Sequence, residues 1–204
     1  MEFDPAKSEL IHFTRTRRPR TDQVRLAGTT IIPTESTRFL GVWLDRKLNF
    51  KSHLEAVKKK ISIQRYALCR IAAKTWGIAY ARAREVYTKA IRSAMVYGCA
   101  IFHKPADPSK VIRGIAKEIG KIQAENLRIV CGGYKATPIR HLETETFCPP
   151  IDLYMNGRLA DFENRLDRTG KRELINNINA RVAGWLHQRQ RRRPRRGRAE
   201  RPLL

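Results

Sequence analysis

The pattern of apolar residues changes once along this chain, near Phe50, and that change constrains its fold. Before Phe50 the apolar residues fall into four short runs, at 7–13, 24–26, 30–32 and 37–44. Short runs bounded by Gly, Pro or charged residues are typical of β-strands. After Phe50 apolar residues recur at every third or fourth position, which indicates helices. The sequence therefore predicts an α+β fold, with a small antiparallel N-terminal sheet of these four strands followed by a mostly helical bundle.

Gly and Pro residues divide the helical half. The first predicted helix starts near Ser52, whose spacing to Glu55 matches a capping box, and ends at the Trp-Gly pair at 76–77. The Gly-Gly pair at 132–133 suits the left-handed end of a helix. Further helices are predicted over 81–102, 109–129, 151–166 and 172–187. The predicted parts are thus 1–48 with the strands, 49–104 and 105–187 with the helices, and 188–204, whose Arg, Pro and Gly content predicts disorder.

Charge restricts the partners of the chain. Its 204 residues carry a formal net charge of +23, with 42 Lys and Arg against 19 Asp and Glu. Such a field favours a polyanion, most simply nucleic acid, with an acidic membrane surface as second candidate. No apolar run approaches the roughly 20 residues that span a bilayer, so no membrane partner is predicted. The four cysteines lie far apart and form no disulfide framework, which favours a reducing nucleus or cytoplasm (Cys69, Cys99, Cys131 and Cys148).

The run from Thr37 to Lys60 carries the most specific pattern. Its first part predicts a short, mostly buried strand, in which Gly41 marks a bulge or the close approach of another backbone or a ligand. Asp45 ends the run, and a helix with three consecutive lysines follows at 58–60. From these residues alone, the strand is interpreted as a core strand and the lysines as a solvated helix face. Trp43 is likewise interpreted as a core aromatic.

Three blocks of this sequence resemble non-LTR retrotransposon reverse transcriptases. The block Phe-Leu-Gly-Val-x-Leu-Asp-x-x-Leu-x-Phe-x-x-His-Leu at 39–54 is similar to the segment that joins palm to thumb in that family. The segment at 3–13 is similar to the strand that follows the catalytic hairpin. Ile122-Gln123, Leu127-Arg128, Gly132-Gly133 and Thr137-Pro138 match the helical region beyond the thumb. The blocks occur in the family's order, and they extend from residue 3 to about residue 150.

The resemblance implies a role for each part of the chain. It makes 1–48 the palm edge with the primer grip, 49–104 the thumb and 105–187 a helical connector. RNA and DNA, as template and primer, become the expected partners, together with the palm and fingers of a parent polymerase. The implied nucleic-acid-binding residues are Phe39, Leu40, Gly41 and Val42 of the primer grip, Lys58, Lys59, Lys60 and Arg65 of the thumb helix, Arg17 and Arg18 of a basic loop, and Arg191, Arg192 and Arg193 of the tail.

The same resemblance predicts no polymerase activity for this chain alone. Nucleotidyl transfer by two metal ions needs clustered carboxylates, which the family carries upstream of the segment where this sequence begins. The chain has no Asp-Asp pair, so no catalytic residue, no cofactor and no ligand for the Mg²⁺ of the parent enzyme is predicted.

Two alternatives remain open at this point. The chain can be a truncated piece of a reverse transcriptase, or a free-standing basic nucleic-acid-binding protein. The spacing of Cys99 and His103, and of Cys131, His141 and Cys148, lacks the two close ligand pairs of a zinc site, so no metal site is predicted. His53 is expected to make a local cap or turn contact.

Overall fold

The computed structural model of the protein describes residues 4, 7–14, 21–72, 77–105 and 114–191. The chain forms two compact units, Met1–Leu159 and Ala160–Leu204. The first holds the strands and most of the helices, and the second holds the end of one helix and the helix that follows it. The α+β class is confirmed, because short antiparallel strands precede a mostly helical remainder.

Two separate hairpins make up the sheets of the described residues. β1 (Val24–Leu26) pairs with β2 (Thr29–Ile31), and β3 (Ser36–Phe39) pairs with β4 (Val42–Asp45). In the second hairpin Ser36 lies opposite Asp45 and Phe39 opposite Val42. Each turn has two central residues with positive φ, as a type I′ turn requires: +47° and +81° at 27–28, and +47° and +84° at 40–41. This turn suits the right-handed twist of paired strands.

The prediction of a single four-stranded sheet was wrong. The run at 37–44 is not one buried strand, because the chain reverses at 40–41 and divides it between β3 and β4. The predicted strand at 7–13 contributes one isolated bridge, Leu10 with Pro33, and the Thr34 amide donates to the Leu10 carbonyl oxygen at 2.8 Å. Pro33 has no N–H, so a regular ladder cannot continue through it.

Eight α-helices follow in the described residues. The second and third of them are joined by a π-helical turn at Tyr87–Ile91, so residues 80–95 form one continuous helical rod. The helices are α1 (Lys51–Ile71), α2 (Tyr80–Val86), α3 (Arg92–Met95), α4 (Cys99–Phe102), α5 (Gly114–Val130), α6 (Ile139–Thr146), α7 (Ile151–Arg168) and α8 (Lys171–Arg191).

The predicted helix at 81–102 is interrupted at a glycine. Gly98, with φ of +71°, ends the turn after α3 and redirects the chain into α4. The left-handed end predicted after α5 is confirmed, since Gly132 has φ of +65°. The Gly133 amide donates to the Arg128 carbonyl oxygen at 2.8 Å, and the Gly132 amide donates to that of Ile129 at 3.4 Å. These two bonds form a Schellman motif.

The start of α1 differs from the predicted capping box. The residue before the helix is Phe50, which has left-handed φ of +55° and makes no side-chain cap. The Asp45 carboxylate caps the helix instead. Its Oδ1 accepts a hydrogen bond from the backbone N–H of Asn49 at 2.7 Å, and its Oδ2 accepts one from the backbone N–H of Lys51 at 3.0 Å. A carboxylate from the preceding strand therefore holds the turn into the helix.

The core of the first unit lies where α1, the rod at 80–95 and α5 meet. Apolar side chains at helical spacing face inward from each element, and burying them supplies the main driving force for packing. The fully buried polar side chains of the described residues include Gln123, Asn126 and Thr146. Gln123 Oε1 accepts a hydrogen bond from the Tyr87 hydroxyl at 3.0 Å. The most buried large side chains are those of Ile61, Leu68, Tyr87, Ile91, Met95, Ile119, Leu127, Leu142 and Met155.

The structure describes only the first residues of the predicted C-terminal tail at 188–204. α8 extends to Arg191, four residues beyond the predicted helix end at 187. The remainder of the tail, predicted to be disordered, lies outside the described residues. The predicted division into four functional parts stays a prediction.

Candidate nucleic-acid interface

The turn of the second hairpin carries the predicted primer-grip residues, and it exposes them unequally. Phe39 and Leu40 are 62% and 78% exposed, whereas Val42 is buried. Together with Gly41 the two exposed residues form the hairpin tip (39–41). A partner can therefore reach the hairpin tip from solvent, while Val42 anchors the base of the turn in the core.

The hairpin tip rests on the turn between α3 and α4. The Tyr97 hydroxyl donates a hydrogen bond to the Leu40 carbonyl oxygen at 3.0 Å. A Cβ atom on Gly41 would lie 3.0 Å from Tyr97 Cε1, and one on Gly98 would lie 2.7 Å from Val42 Cγ2. Because both positions have positive φ and close neighbours, glycine is required at each. The hairpin is thereby seated directly on the helical part.

His53 joins the hairpin to α1. Its Nδ1 accepts a hydrogen bond from the backbone N–H of Trp43 at 3.5 Å, and its ring lies 5.2 Å from the ring of Phe102. The side chain is 4% exposed. Burial lowers the pKa of the His53 imidazole, and the nearby Tyr97 backbone partly opposes that shift. His53 is therefore neutral at pH 7, and it contacts strand β4 instead of capping its own helix.

A cleft of about 340 Å³ lies between the hairpin, α1 and the turn that carries Tyr97. Its cationic side chains come from two different elements, Arg38 on β3 and Lys60 on α1. No carboxylate is among the described residues that line it. The cleft thus has the charge that a phosphate group requires. Its lining is Arg38, Gly41, Trp43, His53, Ala56, Val57, Lys60, Ala94 and Tyr97.

Two of the basic residues predicted to bind nucleic acid form salt bridges with α5. Lys58 Nζ lies 3.0 Å from Glu118 Oε2, and Arg65 pairs with Glu125. Both pairs join α1 to α5 and are separated by seven residues on each helix, so they repeat after two turns. The neighbouring Lys121 and Lys58 lower the pKa of the Glu118 carboxyl to about 2. These two cations are therefore partly neutralised by α5, unlike Lys60 in the cleft.

The structure describes only some of the remaining residues that are predicted to bind nucleic acid. Lys59 is exposed on α1 beside Lys60. The basic loop (Arg17 and Arg18) and two of the tail arginines (Arg192 and Arg193) lie outside the described residues. Arg191 ends α8. None of the described helices is long and apolar enough to cross a membrane.

Three residues of this cleft are not among the nucleic-acid-binding residues predicted from the sequence: Arg38, His53 and Tyr97. Arg38 was passed over because the run at 37–44 was interpreted as one strand, which hid the hairpin. Tyr97 falls within the predicted continuous helix at 81–102, but it lies in the turn after α3. His53 was given only a local role. The local signal for the hairpin is weak, because two-residue turns of this type prefer Asn-Gly, Asp-Gly or Gly-Gly, and only Gly41 of the Leu-Gly pair fits that preference.

The structure brings Gly41 of the hairpin tip and Lys60 of α1 to one cleft. Over 97 residues the chain is 23% identical to the 115 kDa protein in the type-1 retrotransposable element R1DM of Drosophila melanogaster. The chain is similar to a retrotransposon protein. The matched segment is 48% of this chain and 10% of that protein, so the chain spans about a tenth of the relative's length. No protein family and no solved structure matches it.

Proposed function

We propose that this chain is a template-primer-binding segment of the RNA-directed DNA polymerase of a non-LTR retrotransposon. One observation carries the proposal: Gly41 of the hairpin tip and Lys60 border the same cleft. The resemblance in sequence concerns only the order of these residues along the chain and not their distance in space. A backbone turn beside a basic helix can hold a nucleic-acid strand by its sugar-phosphate backbone, whatever its base sequence.

Each part of the cleft has a distinct task in this proposal. Lys60 and Arg38 contact phosphates, and Lys59 extends the positive surface along α1. Phe39 and Leu40 offer exposed apolar surface to the sugar and base edges of the strand end. Tyr97 and Gly98 position the hairpin tip and do not contact the nucleic acid.

The segment contributes binding and no chemistry. Its sequence has no adjacent pair of aspartates. Asp45, which ends the strand nearest the cleft, uses both carboxylate oxygens to hold backbone amides of the turn into α1. It is therefore a structural acid. Primer extension by the purified chain with Mg²⁺ or Mn²⁺ is expected to be undetectable, and template-dependent extension would contradict this part of the proposal.

The test is binding of a fluorescent RNA–DNA primer-template over a series of salt concentrations. The double variant Lys59→Ala/Lys60→Ala removes two charges beside the cleft. Each phosphate contact contributes about −0.7 to −0.9 to the slope of log affinity against log salt. The variant should therefore flatten that slope by about 1.4 to 1.8 units. The matched control is Lys117→Ala/Lys135→Ala, which removes the same charge from exposed positions that do not line the cleft.

Two outcomes decide the result. A flatter slope in the cleft variant than in the control supports a located interface. Equal slopes would mean that nucleic acid binds the general positive field and not this cleft. The second candidate, a free-standing basic protein, is favoured by the net charge of +23. It predicts equal affinity for primer-template, single strands and duplex DNA, whereas the polymerase segment prefers the primer-template.

A further inference from the structure

We propose that His53 is the positioning residue that docks the second hairpin onto α1, and that it does so only as a neutral imidazole. The latch, defined as His53, Trp43 and Tyr97, exists independently of the proposed function. Only its consequence for nucleic-acid contact rests on that function.

The geometry of the hairpin explains why an acceptor is needed at this place. Around a two-residue turn, Phe39 and Val42 form the pair that exchanges ladder hydrogen bonds, so Arg38 and Trp43 form the next, non-hydrogen-bonded pair. The N–H of Trp43 therefore points away from β3. A buried backbone N–H without a partner is costly, and His53 Nδ1 supplies the acceptor at 3.5 Å.

This acceptor role specifies the tautomer of His53. Nδ1 can accept only if it carries no proton, so the neutral ring holds its proton on Nε2. Nε2 is buried without a hydrogen-bond partner among the described residues, and the ring lines the same cleft as Tyr97. Tyr97 in turn donates from its hydroxyl to the Leu40 carbonyl oxygen. One imidazole therefore joins α1 to β4, and it shares a cleft with the residue that supports the hairpin tip.

Protonation would break this arrangement. An imidazolium presents N–H groups on both nitrogens, so Nδ1–H would face the Trp43 N–H with no acceptor between them. The titratable groups that share the cleft with His53 are Arg38 from β3, Lys60 from α1 and Tyr97. Two are cations and none is a carboxylate, so the described surroundings offer no compensation for a second positive charge.

The sign of the pH effect follows from the lowered pKa of His53. In the undocked hairpin the imidazole is solvated and titrates near its ordinary pKa of 6.5. The undocked state therefore binds the proton more readily. Docking is fully stabilised above about pH 6.5, and it is lost progressively as the pH falls below that value.

The experiment uses the whole chain, labelled with ¹⁵N, and measures hydrogen exchange of the Trp43 amide between pH 5 and pH 7.5. The Leu127 amide in the core serves as internal reference. Two variants distinguish the effect of losing the hydrogen-bond acceptor at Nδ1 from the effect of the positive charge that protonation adds. In His53→Asn the side-chain oxygen occupies the place of Nδ1 and does not titrate, whereas in His53→Gln the polar group is displaced toward the place of Nε2.

The latch predicts a specific pattern. In the wild-type protein the protection factor of Trp43 should fall by up to about tenfold per pH unit on acidification, while Leu127 stays protected. His53→Asn should keep protection constant over the range, and His53→Gln should lose it at every pH. Equal pH dependence in the wild-type protein and His53→Asn would overturn the proposal. If the variants do not fold, a wild-type Trp43 amide that stays protected while the His53 ring titrates would overturn it equally.

A second measurement separates the latch from the proposed function. Primer-template affinity of the wild-type protein relative to His53→Asn should fall severalfold at pH 5.5 and be equal at pH 7.5. Loss of Trp43 protection without any change in relative affinity would confirm the latch and contradict the placement of the nucleic acid at the hairpin tip.

Discussion

Tyr97 donates its hydroxyl hydrogen bond to the carbonyl oxygen of Leu40, a residue 57 positions earlier in the chain, at 3.0 Å. This bond connects a β-hairpin to a turn between helices. It holds in place the two residues of the turn that have positive φ. The surface formed by the hairpin tip and α1 depends on it, because neither element alone brings Lys60 and Gly41 to one cleft.

Replacing Tyr97 by Phe should loosen the hairpin without unfolding the protein. The ring that contacts Gly41 remains, and only the hydroxyl is lost. A hydrogen bond of this kind contributes about 0.5 to 1.5 kcal/mol, and the partly exposed position places the loss near the lower value. Urea unfolding of the whole chain measures it. Tyr66→Phe, on an exposed tyrosine of α1, is the control for removing a hydroxyl, and a larger loss of stability there would contradict the role assigned to Tyr97.

Gly98→Ala should destabilise the protein by about 1 to 3 kcal/mol. The residue has φ of +71°, and its new Cβ would lie 2.7 Å from Val42 Cγ2, so both strain and a steric clash oppose it. Gly157→Ala is the matched control. Gly157 lies inside α7 with open space where a Cβ would be, and there alanine should stabilise by about 0.5 to 1 kcal/mol. If the melting temperature changes in the same direction in both variants, the proposed packing of the hairpin against Gly98 is contradicted.

Gln123→Leu should cost about 1 to 3 kcal/mol despite its similar size. Gln123 is fully buried, and its Nε2 donates to Glu143 Oε1 and to the Pro149 carbonyl oxygen, both at 3.0 Å. Leucine would leave these groups and the Tyr87 hydroxyl without their partner. Gln64→Leu is the control, because Gln64 Oε1 is buried with no hydrogen-bond partner among the described residues. Unfolding free energies that are equally reduced in the two variants would refute the network.

The deficit of Gln123→Leu should depend on pH. Burial raises the pKa of the Glu143 carboxyl, and the hydrogen bond from Gln123 partly counteracts that shift. Without Gln123 the folded-state pKa of Glu143 rises further, so ionised Glu143 is more costly in the folded protein. The deficit should therefore be larger at pH 7 than at pH 4. A deficit independent of pH would show that Gln123 does not stabilise the ionised carboxylate.

Deleting 189–204 should flatten the salt dependence of nucleic-acid binding. The segment holds eight arginines and one glutamate, a charge of 8 − 1 = +7, so 23 − 7 = +16 remains. Each lost phosphate contact flattens the slope by about 0.7 to 0.9. A full-length variant with the eight arginines replaced by glutamine separates charge from chain length. Slopes that match the wild type in both variants would reject the tail as a binding element.

Local sequence patterns predicted the class of the fold and most of its helices. The 3.6-residue period specified α1, α5 and α7, and the Gly-Gly pair at 132–133 predicted the end of α5. Such features depend on neighbouring residues, so they can be recognised without knowing the fold. The hairpin at 36–45 was missed because the apolar run from Phe39 to Leu44 passes through its turn with only Gly41 among it, and such a run does not show where the chain reverses.

The sequence by itself determined the α+β order of elements, the strong positive charge and the set of basic residues on α1. Only the tertiary structure decided which of those residues can meet a partner, because it pairs Lys58 and Arg65 with acids of α5 and places Lys60 beside Gly41. It also gave His53 and Tyr97 their roles. Contacts between residues tens of positions apart depend on how helices and strands pack, and packing combines many weak interactions that no local pattern records.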